Sequence, residues 1–124
     1  MTHSVLVVED EKNIVLSLTF LLKNAGFETR VVGDGNAALD EMRKAPPDVV
    51  LLDVMLPERD GYSVCEEIRK NPAWSEVQII MLTAKGREAD RERGLDVGAN
   101  DFVTKPFSTR DLVTRVKQAV GMDG

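Results

Sequence analysis

Three acids in a row, Glu9, Asp10 and Glu11, follow directly on the apolar run Val5, Leu6, Val7 and Val8. Carboxylates so placed repel one another unless something positive sits among them. A second apolar run, Val49 to Leu52, also ends in an acid, Asp53. A third, "VQIIMLT", ends in Thr83, and "DFVT" leads into Lys105. Hard oxygen ligands of this kind suit Mg2+ or Mn2+, which takes a few carboxylates and keeps waters that a phosphate can share. With such a cation present the acids need no protons. One of them can then attack phosphorus while the cation and an ammonium offset the charge that develops on the phosphoryl oxygens. Asp53 is the best-placed nucleophile: it ends the most apolar stretch, where it loses hydration, and a mere turn role would be met nearer Pro57 and Gly61.

These residues are scattered along the chain, so secondary structure must gather them. Strand and helix alternate throughout. Val5 to Glu9 reads as a buried strand, and Ile14, Leu18, Leu21, Leu22 and Ala25 follow helical spacing up to a Gly26 cap. Thr29 to Val32 is a second strand. A helix marked by Ala37, Ala38, Leu39 and Met42 stops at Pro46 and Pro47, and "DVVLLD" is a third strand, apolar on both faces. "DGYSVCEEIRKNP" is the third helix, "VQIIMLT" the fourth strand, "EADRERGLDVG" a charged fourth helix and "DFVT" the fifth strand. Ser108 and Asp111 open a last helix with an apolar stripe of Leu112, Val113, Val116, Ala119 and Val120. Helical connections between successive strands imply crossovers, and so an α/β fold: one parallel sheet with helices on both faces. All strand C-termini then share one edge, where ligands bind. That edge collects Glu9, Asp10, Asp53, Thr83 and Lys105. Lys105 stands two strand spacings, about 10 Å, from Asp53, a gap that its stem and a bound phosphoryl group would help to span.

At 124 residues the chain suits one compact domain, here residues 1–124, expected to be a stand-alone unit or the N-terminal piece of a longer protein, with no effector domain within these residues. A net charge of −5 argues against a surface for nucleic acid or anionic lipid. The longest apolar run is interrupted by Asp53 and the N-terminus lacks a secretory pattern, so no membrane association is expected and the location reads as cytoplasmic. Cys65, the one cysteine, lies in a helical pattern as a small buried hydrophobe, and the one histidine, His3, sits near a terminus, which makes a Ser/His/Asp arrangement improbable.

"VVEDE", "DVVLLDVMLPERDG", "IIMLTAK" and "GANDFVTKPF" together resemble the receiver domain of bacterial two-component response regulators, over essentially the whole chain. Charges at Arg91, Asp96, Asp101, Asp111, Arg115 and Lys117 make the pattern most similar to receivers of the winged-helix transcription-factor group. The resemblance implies a (βα)5 doubly wound, flavodoxin-like sheet of order 2-1-3-4-5. It implies Asp53 as phosphoacceptor and a sensor histidine kinase or phosphotransfer protein as donor. Mg2+ (or Mn2+) would be bound by Asp10, Asp53 and the Met55 carbonyl, with Glu9 acting through water. Thr83 would bond a phosphoryl oxygen, Lys105 would pair with the phosphate, and Phe102 would couple to Thr83 as the switch. Arg91, Asp101, Asp111 and Arg115 would belong to a face of helix four, strand five and helix five that forms a phosphorylation-dependent homodimer. A cis Lys105–Pro106 bond is implied too, and costs little at an X-Pro position.

The sequence departs from the family at Glu9, where an Asp is commoner, at Phe102, which lacks a tyrosine hydroxyl, and at Asn100, which replaces a second acid and removes one possible ion pair. Such a protein is not a conventional enzyme: it catalyses its own phosphotransfer and, with Met55 and Lys85 unsuited to orienting a water, only slow self-dephosphorylation. Ordinary readings exist for each residue. Asp10 and Glu11 suit a helix start, Thr83 a strand end and Lys105 a solvated loop. Two other functions fit the same fold. A flavodoxin-like small-molecule binder would want a phosphate loop where "EDEKN" stands, and a phosphorylation-independent docking module would have no use for the full acid, hydroxyl and lysine set.

Overall fold

The computed structural model describes residues 2–84 and 88–121, with the side chains of 84 and 88–91 excepted. Its elements run β1 (Ser4–Val8), α1 (Lys12–Asn24), β2 (Glu28–Val32), α2 (Gly35–Lys44), β3 (Val49–Asp53), α3 (Gly61–Lys70), a short 3-10 turn (Pro72–Trp74), β4 (Gln78–Ala84), α4 (Glu88–Asp96), β5 (Asp101–Lys105) and α5 (Thr109–Ala119). The five strands form one parallel sheet of order β2-β1-β3-β4-β5, as the alternation and the resemblance implied. Strand ends differ from the reading by a residue. Glu9 falls just past β1, though its N–H still bonds Val32 O at 3.1 Å, and Lys105 closes β5 instead of following it.

The sheet is buried on both sides. Val50, Leu52, Ile79 and Met81 face a cluster with Leu39, Met42, Val64 and Ile68 of α2 and α3. Val49, Leu51, Ile80 and Leu82 face Leu18, Leu22, Leu112 and Val116 of α1 and α5. Burial on both sides is why β3 reads as an uninterrupted apolar run. Short polar side chains start the helices: Asp34 accepts from Ala37 N at 2.7 Å, Asp60 from Ser63 N at 2.9 Å and Ser108 from Asp111 N at 3.3 Å. Glu11 caps α1 through Asn13 N and Ile14 N. One of the three opening acids is thereby used structurally, and two remain. No helix among the described residues is long and apolar enough to cross a membrane.

The loop from β3 to α3 is tightly built. Arg59 N–H bonds Pro57 O at 2.7 Å, closing a three-residue turn with Glu58 at φ 68°. An L side chain is strained there. Gly61 needs its missing side chain, since a Cβ would stand 2.5 Å from Asp53 O. Glu58→Gly is expected to raise unfolding free energy by about 0.5–1 kcal/mol, the left-handed strain relieved less the entropy that glycine adds to the unfolded chain. Urea unfolding checks it, and a lower midpoint at unchanged slope would contradict the strain.

Candidate functional site

In the order β2-β1-β3-β4-β5, the chain leaves β1 toward one edge and returns to the other side of β1 as β3. The crevice at such a reversal lies beyond the C-terminal ends of β1 and β3. Glu9 and Asp10 follow the first and Asp53 ends the second. Met55 comes two residues later, with its backbone N–H on Asp53 Oδ1 at 3.0 Å and its side chain 62% exposed. One carboxylate oxygen each from Glu9, Asp10 and Asp53 lies within 4.8 Å of the others. Lys105 reaches in from β5 across β4, placing Nζ 3.1 Å from Asp53 Oδ2 and 2.7 Å from Glu9 Oε1. Thr83 is buried on β4, one register step beyond the Leu82 that pairs with Asp53. The Lys105–Pro106 peptide is cis, as expected.

The electrostatics follow from burial. Glu9 and Asp53 are almost wholly buried, while Asp10 is exposed. Glu9 Oε2 accepts from Asp10 N at 3.0 Å and Glu11 N at 3.3 Å. Desolvation, and then the Asp53 carboxylate beside it, push the Glu9 pKa above the usual carboxylate range against the opposing pull of Lys105. Burial by itself would lower the Lys105 pKa, but its contacts with Glu9 and Asp53 outweigh that and hold it above the ordinary value. Three acids thus face one ammonium. Glu9 Oε1 finds no second donor among the described residues. The donor set is all oxygen, its charge is short by about two when every acid is ionised, and it sits at the sheet's open edge, which fits Mg2+ or Mn2+.

Other expected residues lie apart from this cluster. Phe102 is half-buried on β5, where it pairs in register with Met81 of β4. Arg115 Nη1 ion-pairs with Asp101 Oδ2 at 2.7 Å within the chain, and Asp111 is exposed in the first turn of α5. The Arg91 side chain and all of Lys85 lie outside the described residues. Asn100 has a use that the sequence reading missed. Its Oδ1 accepts from Arg69 Nη2 at 2.6 Å and Ile79 N at 2.8 Å, so it ties α3 to the start of β4. Cys65 is buried with its Sγ 3.4 Å from Val97 O, and desolvation lifts its pKa to about 11, as suits an inert core thiol.

A family model described as the response regulator receiver domain matches residues 5–117. Among solved structures, a putative response regulator from Chloroflexus aurantiacus is 38% identical, covers 97% of this chain and 98% of its own, and superposes with a TM-score of 0.91. The receiver domain of sensor histidine kinase PA1611 from Pseudomonas aeruginosa, with a magnesium ion in its active-site cleft, is 33% identical over 98% and 99% of the two chains, with a TM-score of 0.87. Chemotaxis response regulator CheY4 of Vibrio cholerae is 28% identical over 96% and 99%, with a TM-score of 0.89.

The raised Glu9 pKa has a defined sign. Glu9 holds its proton more tightly folded than unfolded, so its contribution to stability is present below the ordinary carboxylate pKa and is lost as pH rises through the folded value. A cation prefers the opposite, ionised form. Mg2+ affinity measured by calorimetry is therefore expected to fall on acidification at a pH above the usual carboxylate range, and Asp10→Asn to weaken it at least about tenfold. An affinity that falls only below pH about 4 would contradict the coupling.

Proposed function

The chain belongs to the response regulator receiver family, and from that premise we propose that Asp53 is the phosphoacceptor of a two-component phosphorelay, in which residues 1–124 act as one receiver unit in the cytoplasm. The observation that carries this reading is the contact set of Asp53: a buried carboxylate with an ammonium at 3.1 Å and two further acids converging on it.

An Asp53 oxygen attacks the phosphorus of a donor phosphohistidine. The new O–P bond forms as the N–P bond breaks, and the bonding pair leaves with the imidazole, giving an acyl phosphate and a neutral histidine once a proton from water is taken up. Lys105 moves from its two acids to a phosphoryl oxygen. Asp10, Asp53 and the Met55 carbonyl, with Glu9 behind, would hold a divalent cation, which would supply neutralisation of phosphoryl charge. Thr83 bonds a phosphoryl oxygen, and Phe102 answers its movement from the same side of the sheet. Arg91, Asp101, Asp111 and Arg115 belong to the face of α4, β5 and α5 that pairs two copies after phosphorylation. The activity is self-directed: the chain catalyses its own phosphotransfer, and its hydrolysis is slow because the exposed Met55 side chain cannot hold the attacking water.

The donor is a protein. Grooves open on both sides of α1. One, of about 450 Å³, runs between Ile14 and Ser17 and the Lys105 to Phe107 segment. The other, of about 390 Å³, lies between Leu16 and Val31 and ends at Glu9 and Asp10. Leu16, which lines the second, and Phe20, one turn further along α1, stand 67% and 66% exposed. Apolar side chains bordering an acidic crevice suit a sensor kinase or phosphotransfer domain better than a small phosphate donor alone. The α1 edge also argues against a flavodoxin-like binder, since Glu11 occupies the helix N-terminus where a phosphate would sit.

Incubation with a small phosphoramidate and Mg2+ is expected to label the wild type, with the label lost over minutes or longer. Asp53→Asn, which keeps shape but loses the nucleophile, is expected to take no label. A labelled and folded Asp53→Asn protein would remove Asp53 from the role.

A further inference from the structure

Glycine is a poor helix former, yet Gly94 sits buried inside α4. A Cβ there would stand 2.5 Å from Phe102 Cε2, 3.1 Å from Phe102 Cδ2 and 3.0 Å from Met81 Sδ. The Phe102 ring therefore fills the space that any side chain at 94 would need. Among its described side chains the helix offers little else to the sheet. Besides Ala89, the apolar side chain in "EADRERGLD" is Leu95, which is 49% exposed. Arg93 adds a contact from above, its guanidinium 4.2 Å from the centroid of the Tyr62 ring on α3. The usual arrangement is reversed here: the strand supplies the knob, and the helix supplies the hole.

We propose that Gly94 is a positioning residue for the switch, keeping open a slot in which the Phe102 ring seats α4 on β4 and β5, so that α4 follows the ring. The placement joins this slot to the phosphorylation site. Met81 and Thr83 lie two apart on β4 and so share a face, and Met81 pairs in register with Phe102. The ring is accordingly flanked by the strand that carries Thr83 and by α4. A ring that leaves the slot takes away the apolar surface under α4, and a side chain at 94 denies the ring its inward position. The proposal rests on the reading of Asp53 as phosphoacceptor and of Phe102 as coupled to Thr83, the slot being the inward position that the ring occupies here and keeps when Thr83 approaches the phosphoryl group. It adds the part by which α4 senses that position.

The test compares the wild type, Gly94→Ala, Phe102→Leu and the double variant, each first shown to be folded by its thermal transition. Two readouts are taken: binding of beryllofluoride with Mg2+ in all four proteins and, in the wild type and Gly94→Ala, the fluorine resonance of 4-fluorophenylalanine at position 102. Gly94→Ala is expected to shift that resonance even without beryllofluoride and to weaken beryllofluoride binding about tenfold. Adding Gly94→Ala to Phe102→Leu, whose smaller side chain leaves room, is expected to change binding by less than about twofold. A folded Gly94→Ala protein with the wild-type resonance and wild-type binding would overturn the slot. So would an equal loss in the Phe102→Leu background, since the effect would then not pass through the ring. A wild type that fails to bind beryllofluoride refutes the reading of the site instead, and the resonance shift alone then decides whether the slot exists.

Discussion

Lys105 Nζ lies 2.7 Å from Glu9 Oε1 and 3.1 Å from Asp53 Oδ2, and this contact is what allows two acids to sit buried at the end of an apolar sheet. A lone buried charge costs several kcal/mol even after relaxation, and two like charges side by side cost more. One ammonium offsets part of that cost. Asp10, though exposed, brings a further carboxylate oxygen within 4.8 Å of those of Glu9 and Asp53, so the cluster keeps a negative excess. The site is thus stable enough to fold and unsatisfied enough to draw in a cation and a phosphoryl group. On the proposed reading, Lys105 bonds the two acids until a phosphoryl oxygen takes their place.

Topology makes this contact possible, and rigidity keeps it. β3 runs between β1 and β4, every one of its residues is buried, and its last residue is Asp53, the proposed nucleophile. Gly61 packs against the Asp53 backbone and donates its N–H to Val54 O at 2.9 Å, so the loop after β3 cannot drift from the acid it follows. At α4, described inward contacts run from Gly94 to the Phe102 ring and from Arg93 to the Tyr62 ring. A fixed chemical end beside a helix seated on a strand's aromatic ring is an arrangement that suits a switch.

Much of this was legible in the sequence, for identifiable reasons. Asp53 stood out because an acid closing a fully apolar strand has few ordinary uses, and the strand order gave Glu9 and Asp10 a place beside it. Thr83 and Lys105 meant little singly, and gained meaning only once five strand ends were known to share an edge. The fate of Glu11 was half visible: a helix start was one of its readings, and the structure uses it as the cap. Other features depend on tertiary neighbours that no local pattern announces. The φ of 68° at Glu58 comes from loop closure, at a residue with no preference for it. Asn100 looked like a lost acid on an outer face, yet it accepts from Arg69 and Ile79, which lie far away in sequence. Gly94 read as one residue of a charged helix, because the ring that fills its slot belongs to the next strand.

The central claim is that Lys105 and a divalent cation relieve the same excess of negative charge, and thermal unfolding measures it directly. Wild type and Lys105→Met would be compared in chelator and in saturating Mg2+. The account expects Lys105→Met to be less stable than wild type in chelator, by about 2–4 kcal/mol for a buried pair broken on one side, and to gain clearly more from Mg2+ than the wild type does. Equal gains from Mg2+ in the two proteins, or a Lys105→Met variant as stable as wild type in chelator, would contradict it.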